Sequence, residues 1–268
     1  MPSKNRAAQL DLFLRSYLEN FNIGPVTVIY KATDQFYQNG YQLIRDRFEG
    51  ENIFLIEELE YPIKKLINAA SNDRFTGYVN FCTDDTVFYR KSGLINKDIA
   101  NIITDDVCSF SPRLGLNTIV QDYKTGEFQQ PLSGYEKNGE IIKWNWLSGP
   151  PLYNYYYPAH QDGCVMDKDF FVKISNFDWK YLRELEGNLA LDRRHTMKER
   201  PMMAAPVQSI CVNIPTNAVQ GGLYCGDRFF QDVKDMNEKF LSGQELSLKN
   251  TDWFNIIGSH QEIDLKWD

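Results

Sequence analysis

The sequence predicts an α/β fold, a mostly parallel sheet covered by helices, on three observations. Apolar residues recur at helical spacing from Arg6 to Phe21 and from Asp34 to Phe48. Short apolar runs at Val26 to Lys31, Asn52 to Glu57 and Tyr78 to Cys82 alternate with those helical stretches. Turn residues such as Gly24-Pro25 mark the changes of period. Parallel strands require this alternation, because each crossover must return the chain to the same end of the sheet.

The elements follow in order. The first helix sets Leu10, Phe13, Leu14, Tyr17 and Leu18 on one face, and Gly24-Pro25 stops it before the strand Val26 to Lys31. The second helix carries Phe36, Tyr37, Tyr41 and Ile44, and leads to Asn52 to Glu57, read as a short strand of the buried kind. Tyr61 to Ala70 reads as a third amphipathic helix and Tyr78 to Cys82 as the next strand. Beyond Asp85 the alternation loosens. Strands are expected at Val107 to Ser111 and Ile141 to Trp146, with a loop or hairpin at Gly126 to Gly139 between them. Helical periodicity returns from Asp167 through Phe177 and from Trp179 to about Ala190. The charged segment Asp192 to Arg200, leading into Pro201 and Pro206, reads as an exposed connection. Gln208 to Ile214 is strand-like and Asp227 to Leu241 helical.

A chain of 268 residues that is 43% hydrophobic can bury one large core, so a single domain is expected. The net charge of -7 argues against nucleic acid or anionic membrane as partner, since no excess of Lys and Arg exists to neutralise phosphates. No apolar run approaches the roughly 20 residues that span a bilayer, and no charged start leads into an apolar leader segment. These features predict a soluble, cytoplasmic protein. The five cysteines are scattered, without the close pairing of a zinc site, and are expected in the core.

In an open parallel sheet, ligands gather beyond the carboxyl ends of the strands. Asp84 and Asp85 stand at such an end, in Asn80-Phe81-Cys82-Thr83-Asp84-Asp85-Thr86. Paired carboxylates are hard oxygen ligands for Mg²⁺ or Mn²⁺, which in turn neutralise phosphate oxygens. By itself the pair is a weak signal, since Asp-Asp also occurs at Asp105-Asp106 and such a pair more often marks a solvated turn or a helix cap.

Other segments stand in a telling order around it. Ser3-Lys4-Asn5-Arg6 leads into Gln9-Leu10-Asp11, and Val28-Ile29-Tyr30-Lys31 is followed by Ala32-Thr33-Asp34. After Phe81 to Asp85 come Phe110-Ser111-Pro112-Arg113-Leu114-Gly115, Tyr157-Pro158 with Asp162-Gly163, Leu185-Glu186-Gly187-Asn188, and Ser259-His260-Gln261-Glu262. This arrangement, over nearly the whole chain, resembles the GT-A glycosyltransferases, particularly bacterial and viral relatives of the family 2 enzymes.

The resemblance implies a Rossmann-like GT-A domain, with a nucleotide-sugar-binding half at about residues 1–112 and a smaller acceptor-binding half at about 113–268. It implies a metal-dependent hexosyl- or pentosyltransferase moving a sugar from a nucleotide-diphosphate donor to a saccharide or glycan. By the same resemblance Asp85 is the direct ligand of Mn²⁺ or Mg²⁺, Asp84 faces ribose or a water of the cation, and His260 supplies a second ligand. Arg6, Lys31 and Asp34 are the expected nucleotide contacts, and Glu186 is the expected general base of an inverting transfer. Glu184 is its substitute, and Asp162 a group for donor sugar or acceptor. Asp84-Asp85-Thr86 departs from the family's Asp-x-Asp form, which leaves the ligating carboxylate open. Only Met1 and Pro2 precede Ser3, so the family's first strand is either lacking or the start of the chain is cut short.

The residues themselves keep plainer readings open: a solvated helix start for Arg6, a helix cap for Asp34, an exposed helix carboxylate for Glu186, and a surface or core role for His260. His160 and His195 are acceptor-side candidates with the same alternative. The aromatic stretch Trp144, Trp146, Tyr153, Tyr155, Tyr156 and Tyr157 reads as an acceptor wall or as core. Arg193, Arg194, Lys198 and Arg200 read as a solvated loop or as a clamp on the leaving diphosphate. Two other functions compete: a sugar nucleotidyltransferase, disfavoured by the lack of a Gly-rich basic loop, and a non-catalytic carbohydrate-binding protein.

Overall fold

The computed structural model describes residues 1–58, 64–65, 67, 77–122, 124–129, 131–150, 153–180, 182–191, 196–218, 226 and 228–268. A parallel sheet of three strands forms first. Strand β1 (Pro2–Lys4) passes through Asn5 and Arg6 into helix α1 (Ala7–Asn20). Strand β2 (Val26–Lys31) leads to α2 (Gln35–Arg47), and β3 (Ile53–Glu57) completes the order β1-β2-β3. Next come β4 (Tyr78–Phe81), β5 (Thr86–Phe88), α3 (Asn96–Ile102), β6 (Val107–Phe110), β7 (Val120–Asp122), β8 (Glu127–Phe128), β9 (Glu136–Asn138) and β10 (Ile141–Asn145). Then follow β11 (Cys164–Asp167), α4 (Lys168–Ile174), α5 (Leu182–Leu191), β12 (Met202–Pro206), β13 (Cys211–Asn213) and α6 (Val233–Leu241). A second sheet runs β4-β11-β6-β12-β10-β9, and β13 pairs with β5 and β7 with β8.

The fold is mixed α/β, and the sequence expectation of a mostly parallel sheet needs correction. In the six-stranded sheet only β6 and β12 run parallel, and the other pairs are antiparallel. Five strands, β1, β5, β7, β11 and β12, stand where the sequence predicts none, and β1 pairs in parallel with β2 where the first strand is expected to be lacking or cut short. Cys164–Asp167 overlaps the helix expected from Asp167 at that one residue, and Met202–Pro206 follows the connection expected at Asp192 to Arg200, between the prolines it leads into. Pro206 closes β12 and Pro201 precedes it, so neither interrupts the Met203-Ala204-Ala205 run buried in the sheet. β3 is half-buried, with Phe54 40% exposed, because it is an edge strand.

Caps fix several boundaries. Asp34 stands in extended conformation before α2 and accepts from the Tyr37 amide at 3.2 Å. Asp232 accepts from the Lys234 and Asp235 amides, which starts α6 at Val233 and not at Asp227 as periodicity alone suggests. The helix expected over Tyr61 to Ala70 lies outside the described residues except for Lys64, Lys65 and Ile67, which are helical.

Two apolar clusters lie on the two sides of this framework. One gathers α1, α2, α6, β2, β5 and β13, and the other gathers Trp144, Trp146, Tyr155, Phe170, Phe171 and Leu185. Cys82, Cys108, Cys164 and Cys211 are buried and free, as expected, and Cys225 lies outside the described residues. The aromatic acceptor wall is corrected here. Trp144, Trp146 and Tyr155 are fully buried, with the Trp144 indole donating to the Tyr155 carbonyl at 2.6 Å, so these rings are core.

Close approach of α1, α2 and α6 depends on Gly40. A Cβ there would stand 2.4 Å from Asn237 Oδ1 and 2.8 Å from the Ala7 Cβ. Helix propensity favours Ala over Gly by about 1 kcal/mol, yet overpacking costs about 1–3 kcal/mol. Gly40→Ala is therefore expected to destabilise the chain in urea unfolding, and a stabilised variant would contradict this packing.

Candidate functional site

The acidic turn is built by short, specific contacts. The Thr86 amide donates to the Thr83 carbonyl at 3.1 Å, so Cys82 to Asp85 turn the chain from β4 into β5. β5 then pairs with β13, with Thr86 opposite Asn213. The Asn213 side-chain amide nitrogen, with two N–H donors, lies within reach of three acceptors, Thr83 Oγ1 at 2.9 Å, Asp85 Oδ1 at 3.0 Å and Thr86 Oγ1 at 3.1 Å. The strand that brings Asn213 also brings His260, because the Asn213 amide donates to the Ser259 carbonyl and the Gln261 amide to the Asn213 carbonyl.

Asp162 enters from the opposite side. Gly163, at φ 93°, makes a left-handed turn before β11 that favours glycine, and its amide donates to the Phe81 carbonyl at 2.5 Å. Thr83 Oγ1 lies 2.6 Å from Asp85 Oδ1 and 3.2 Å from Asp162 Oδ1, so its one hydroxyl proton goes to the nearer Asp85 or is shared between the two carboxylates. Asp162 Oδ2 lies 3.2 Å from His260 Nε2 and accepts from Arg113 Nη1 at 2.9 Å. The Arg113 guanidinium lies almost equally far, 3.3 Å and 3.2 Å, from the two His260 ring nitrogens, so it rests against the ring. One hydroxyl and one guanidinium thus tie Asp85, Asp162 and His260 into a single network.

Glu186, on α5, closes the group by accepting from the Gln161 amide at 3.4 Å. Burial and then the Asp162 charge push its carboxyl up to about 8, against the pull of Arg113. Burial also acts to raise Asp162, but the His260 hydrogen bond and the Arg113 charge outweigh it and hold that carboxyl well below the usual range. The Tyr157 phenol is raised by burial and then by the Glu186 and Asp162 charges. The neighbouring carboxyls are thus driven apart, with Asp162 ionised and Glu186 holding a proton near neutral pH.

The other expected site residues separate into two groups. Arg6 comes to the site but faces inward: its guanidinium is 2.9 Å from Asp84 Oδ1, 3.7 Å from Asp85 Oδ2 and bonded to the Asn217 carbonyl. Asn5, at φ 57°, aims it there, and Asn5 is held by the Thr33 amide and hydroxyl. Asp84 is buried on Arg6, so the expected exposure to ribose is replaced by an internal ion pair. Burial and then the Asp85 charge raise its pKa, while Arg6 lowers it. Lys31 and Asp34 lie outside the network: Lys31 is exposed at the end of β2, and Asp34 caps α2. His160 is also inside the fold. Burial and the Arg113 charge hold it well below its ordinary pKa, and its Nε2 is 2.9 Å from Ser111 Oγ, which corrects the acceptor-side reading. His195, Arg193 and Arg194 lie outside the described residues, and Arg200 reaches Asp167 at 3.4 Å.

Three residues carry the network without having been assigned a role from sequence: Thr83, Arg113 and Asn213. Thr83 and Arg113 belong to the motif segments already noted, and a lone Arg after an apolar strand is the signal that a buried carboxylate needs a counter-charge. Among the described residues no three His, Cys, Asp or Glu side chains converge closely enough to form a ready metal site. Asp85 is 21% exposed and His260 35% exposed, so both remain open to a ligand from outside, whereas Asp84 is closed off. No family model matches the chain, and no curated protein matches it. No helix among the described residues is long and apolar enough to cross a membrane.

The raised Glu186 pKa has a consequence for stability. A carboxyl whose folded pKa lies above its unfolded value of 4.5 stabilises the fold fully below that value, and the contribution is lost as pH rises through about 8. Glu186→Gln keeps the shape and removes the titration. Its thermal midpoint relative to the parent is therefore expected to rise by at least about 2 °C between pH 5 and pH 9. An unchanged difference would mean that Glu186 is ionised in the folded state throughout this range.

Proposed function

We propose that the chain is a GT-A glycosyltransferase that moves a sugar from a nucleotide-diphosphate donor to a hydroxyl of a saccharide or glycan. One observation carries this reading: Asp85, Asp162, Glu186 and His260, from four distant segments, meet around Thr83 and Arg113. Carboxylates that differ in protonation, next to an open imidazole, suit acid–base chemistry on a polar substrate better than a structural role.

Asp85 and His260 are the residues that would hold Mn²⁺ or Mg²⁺. Two protein ligands with the rest from phosphate oxygens and water is an ordinary set for such a cation, which then supplies charge for the departing diphosphate. Asp162 keeps His260 in place, and Arg113 keeps Asp162 ionised. Arg6 holds the acidic turn from behind through Asp84.

Glu186 is the general base. Its carboxylate takes the acceptor hydroxyl proton as that oxygen bonds to the anomeric carbon and the bond from that carbon to the diphosphate oxygen breaks. A base must be ionised to act. A group pushed up to about 8 is mostly protonated at pH 7 and becomes competent as pH rises.

Incubation with individual nucleotide sugars and Mn²⁺ is expected to release nucleoside diphosphate, slowly without acceptor and faster with one. No release from any donor with either cation would favour a non-catalytic carbohydrate-binding protein. With an active donor and acceptor, kcat/KM is expected to rise with pH to an inflection no higher than about 8, the value of Glu186 before any cation charge is added. Glu186→Gln should lower it by about 10²–10⁴-fold and abolish that inflection. Asp85→Ala and His260→Ala are each expected to weaken the cation dependence by at least about tenfold. Unchanged Mn²⁺ titrations in both variants would remove these residues from the cation site.

A further inference from the structure

The segment that brings Asp162 to the site is set in place by side chains. Pro158 to Asp162 runs beside Ser109 to Arg113, and three rungs cross between them at one constant offset of 49 residues. Ser109 Oγ donates to the Pro158 carbonyl at 2.6 Å, Ser111 Oγ lies 2.9 Å from His160 Nε2, and Arg113 Nη1 donates to Asp162 Oδ2 at 2.9 Å. Each rung is two residues beyond the last on both segments, the spacing of extended chains that lie parallel with one face of each turned to the other. Among the described residues no backbone–backbone hydrogen bond joins the two segments. The Ser111 amide donates instead to the Ala204 carbonyl, and the Gln161 amide to Glu186.

The middle rung is a buried polar pair. Ser111 and His160 are both closed to solvent, and His160 Nδ1 has no hydrogen-bond partner. An unpaired polar atom in a core is a net cost that an apolar pair of the same volume avoids. An apolar pair, however, would pack as well one rung higher or lower, whereas a bond between two particular atoms fixes the register. Slipping by one rung would set Asp162 opposite Ser111 and leave the buried Arg113 guanidinium without its carboxylate. Everything the segment carries to the site depends on that register: the Gln161 amide reaches Glu186 Oε1 at 3.4 Å, Asp162 Oδ1 stands 3.2 Å from Thr83 Oγ1, and Asp162 Oδ2 stands 3.2 Å from His260 Nε2.

We propose that Ser111 and His160 are positioning residues of the acidic site, whose bond locks Pro158 to Asp162 in register against Ser109 to Arg113 and so holds Asp162 and the Gln161 amide against His260 and Glu186. Both side chains are buried, so they act through Asp162 and do not meet substrate. Their role in transfer rests on the function proposed above, and the register does not. Misplacing a reacting group by about 1 Å can cost about 10²-fold in rate, so loss of the rung weighs on turnover as well as on stability.

The test compares the full chain with three variants. Ser111→Ala removes the rung, His160→Gln keeps a nitrogen near the place of Nε2, and Ile142→Val truncates the core elsewhere in the same sheet, on β10. Glu186 is followed through its carboxyl carbon resonance as pH is varied, with the thermal midpoint measured alongside. Ser111→Ala is expected to lower the Glu186 midpoint from about 8, because the Asp162 charge that raises it is no longer held beside it. A fall of at least about 0.5 is the expected size. In an active preparation the same variant should lower kcat at least about tenfold and change the donor KM less than about threefold. His160→Gln should keep both near the parent values. Ile142→Val should lower the thermal midpoint and leave the Glu186 midpoint in place. The positioning role is overturned if Ser111→Ala leaves the Glu186 midpoint unmoved, or if Ile142→Val moves it as far. The titration needs no substrate, so a parent chain that releases no nucleoside diphosphate counts against the proposed transfer and not against the register.

Discussion

The arrangement at the end of β4 depends on a balance of buried charge. Four carboxyls, Asp84, Asp85, Asp162 and Glu186, converge there, and two arginines, Arg6 and Arg113, come to meet them. Burying an unpaired carboxylate costs several kcal/mol, so the positions of the two guanidinium groups decide which carboxyls stay ionised. Arg6 serves Asp84 from behind the turn, and Arg113 serves Asp162 from within it. Among the described residues Glu186 has no such ion pair, and burial and the Asp162 charge leave it holding its proton instead. The division into two paired carboxylates, one open carboxylate and one carboxylic acid follows from that geometry.

Much of this was legible in the sequence because local rules govern it. Helices α1 and α2 and strands β2 and β4 announced themselves through period and turn residues, and the Asp84-Asp85 pair stood where a strand ends. Asp162, Glu186 and His260, from three separate motif segments, lie close together in space. Direction within the larger sheet was not legible, because antiparallel pairing of β4 with β11 and of β10 with β12 is decided by contacts between distant segments. β11 and β12 are too short for periodicity to separate them from a helix start or a proline-rich connection.

Roles proved harder to read than positions. Arg6 and Asp34 looked alike as candidates for nucleotide contact, yet one is half of a buried ion pair and the other a helix cap. The difference lies in Asn5, whose left-handed backbone turns Arg6 back towards β4, and no composition rule reveals that. The aromatic stretch had the same ambiguity. Its indoles point into the core because β10 lies inside a sheet packed by α4 and α5, a fact of tertiary burial.

The same charge balance bears on how a cation and the base would influence one another. Glu186 is raised by burial and by the ionised Asp162, so any added positive charge near Asp162 favours the carboxylate form. Asp85 and His260 are each one contact from Asp162, through Thr83 and directly. Charge arriving at those two residues therefore lowers the Glu186 pKa, and by linkage the ionised Glu186 strengthens the hold on that charge. Arg113 limits the effect, because its guanidinium already rests against both Asp162 and His260. On the proposed function, a site without cation would keep Glu186 protonated and a bound cation would shift it towards the carboxylate, with Thr83 and Asp162 as the coupling between them.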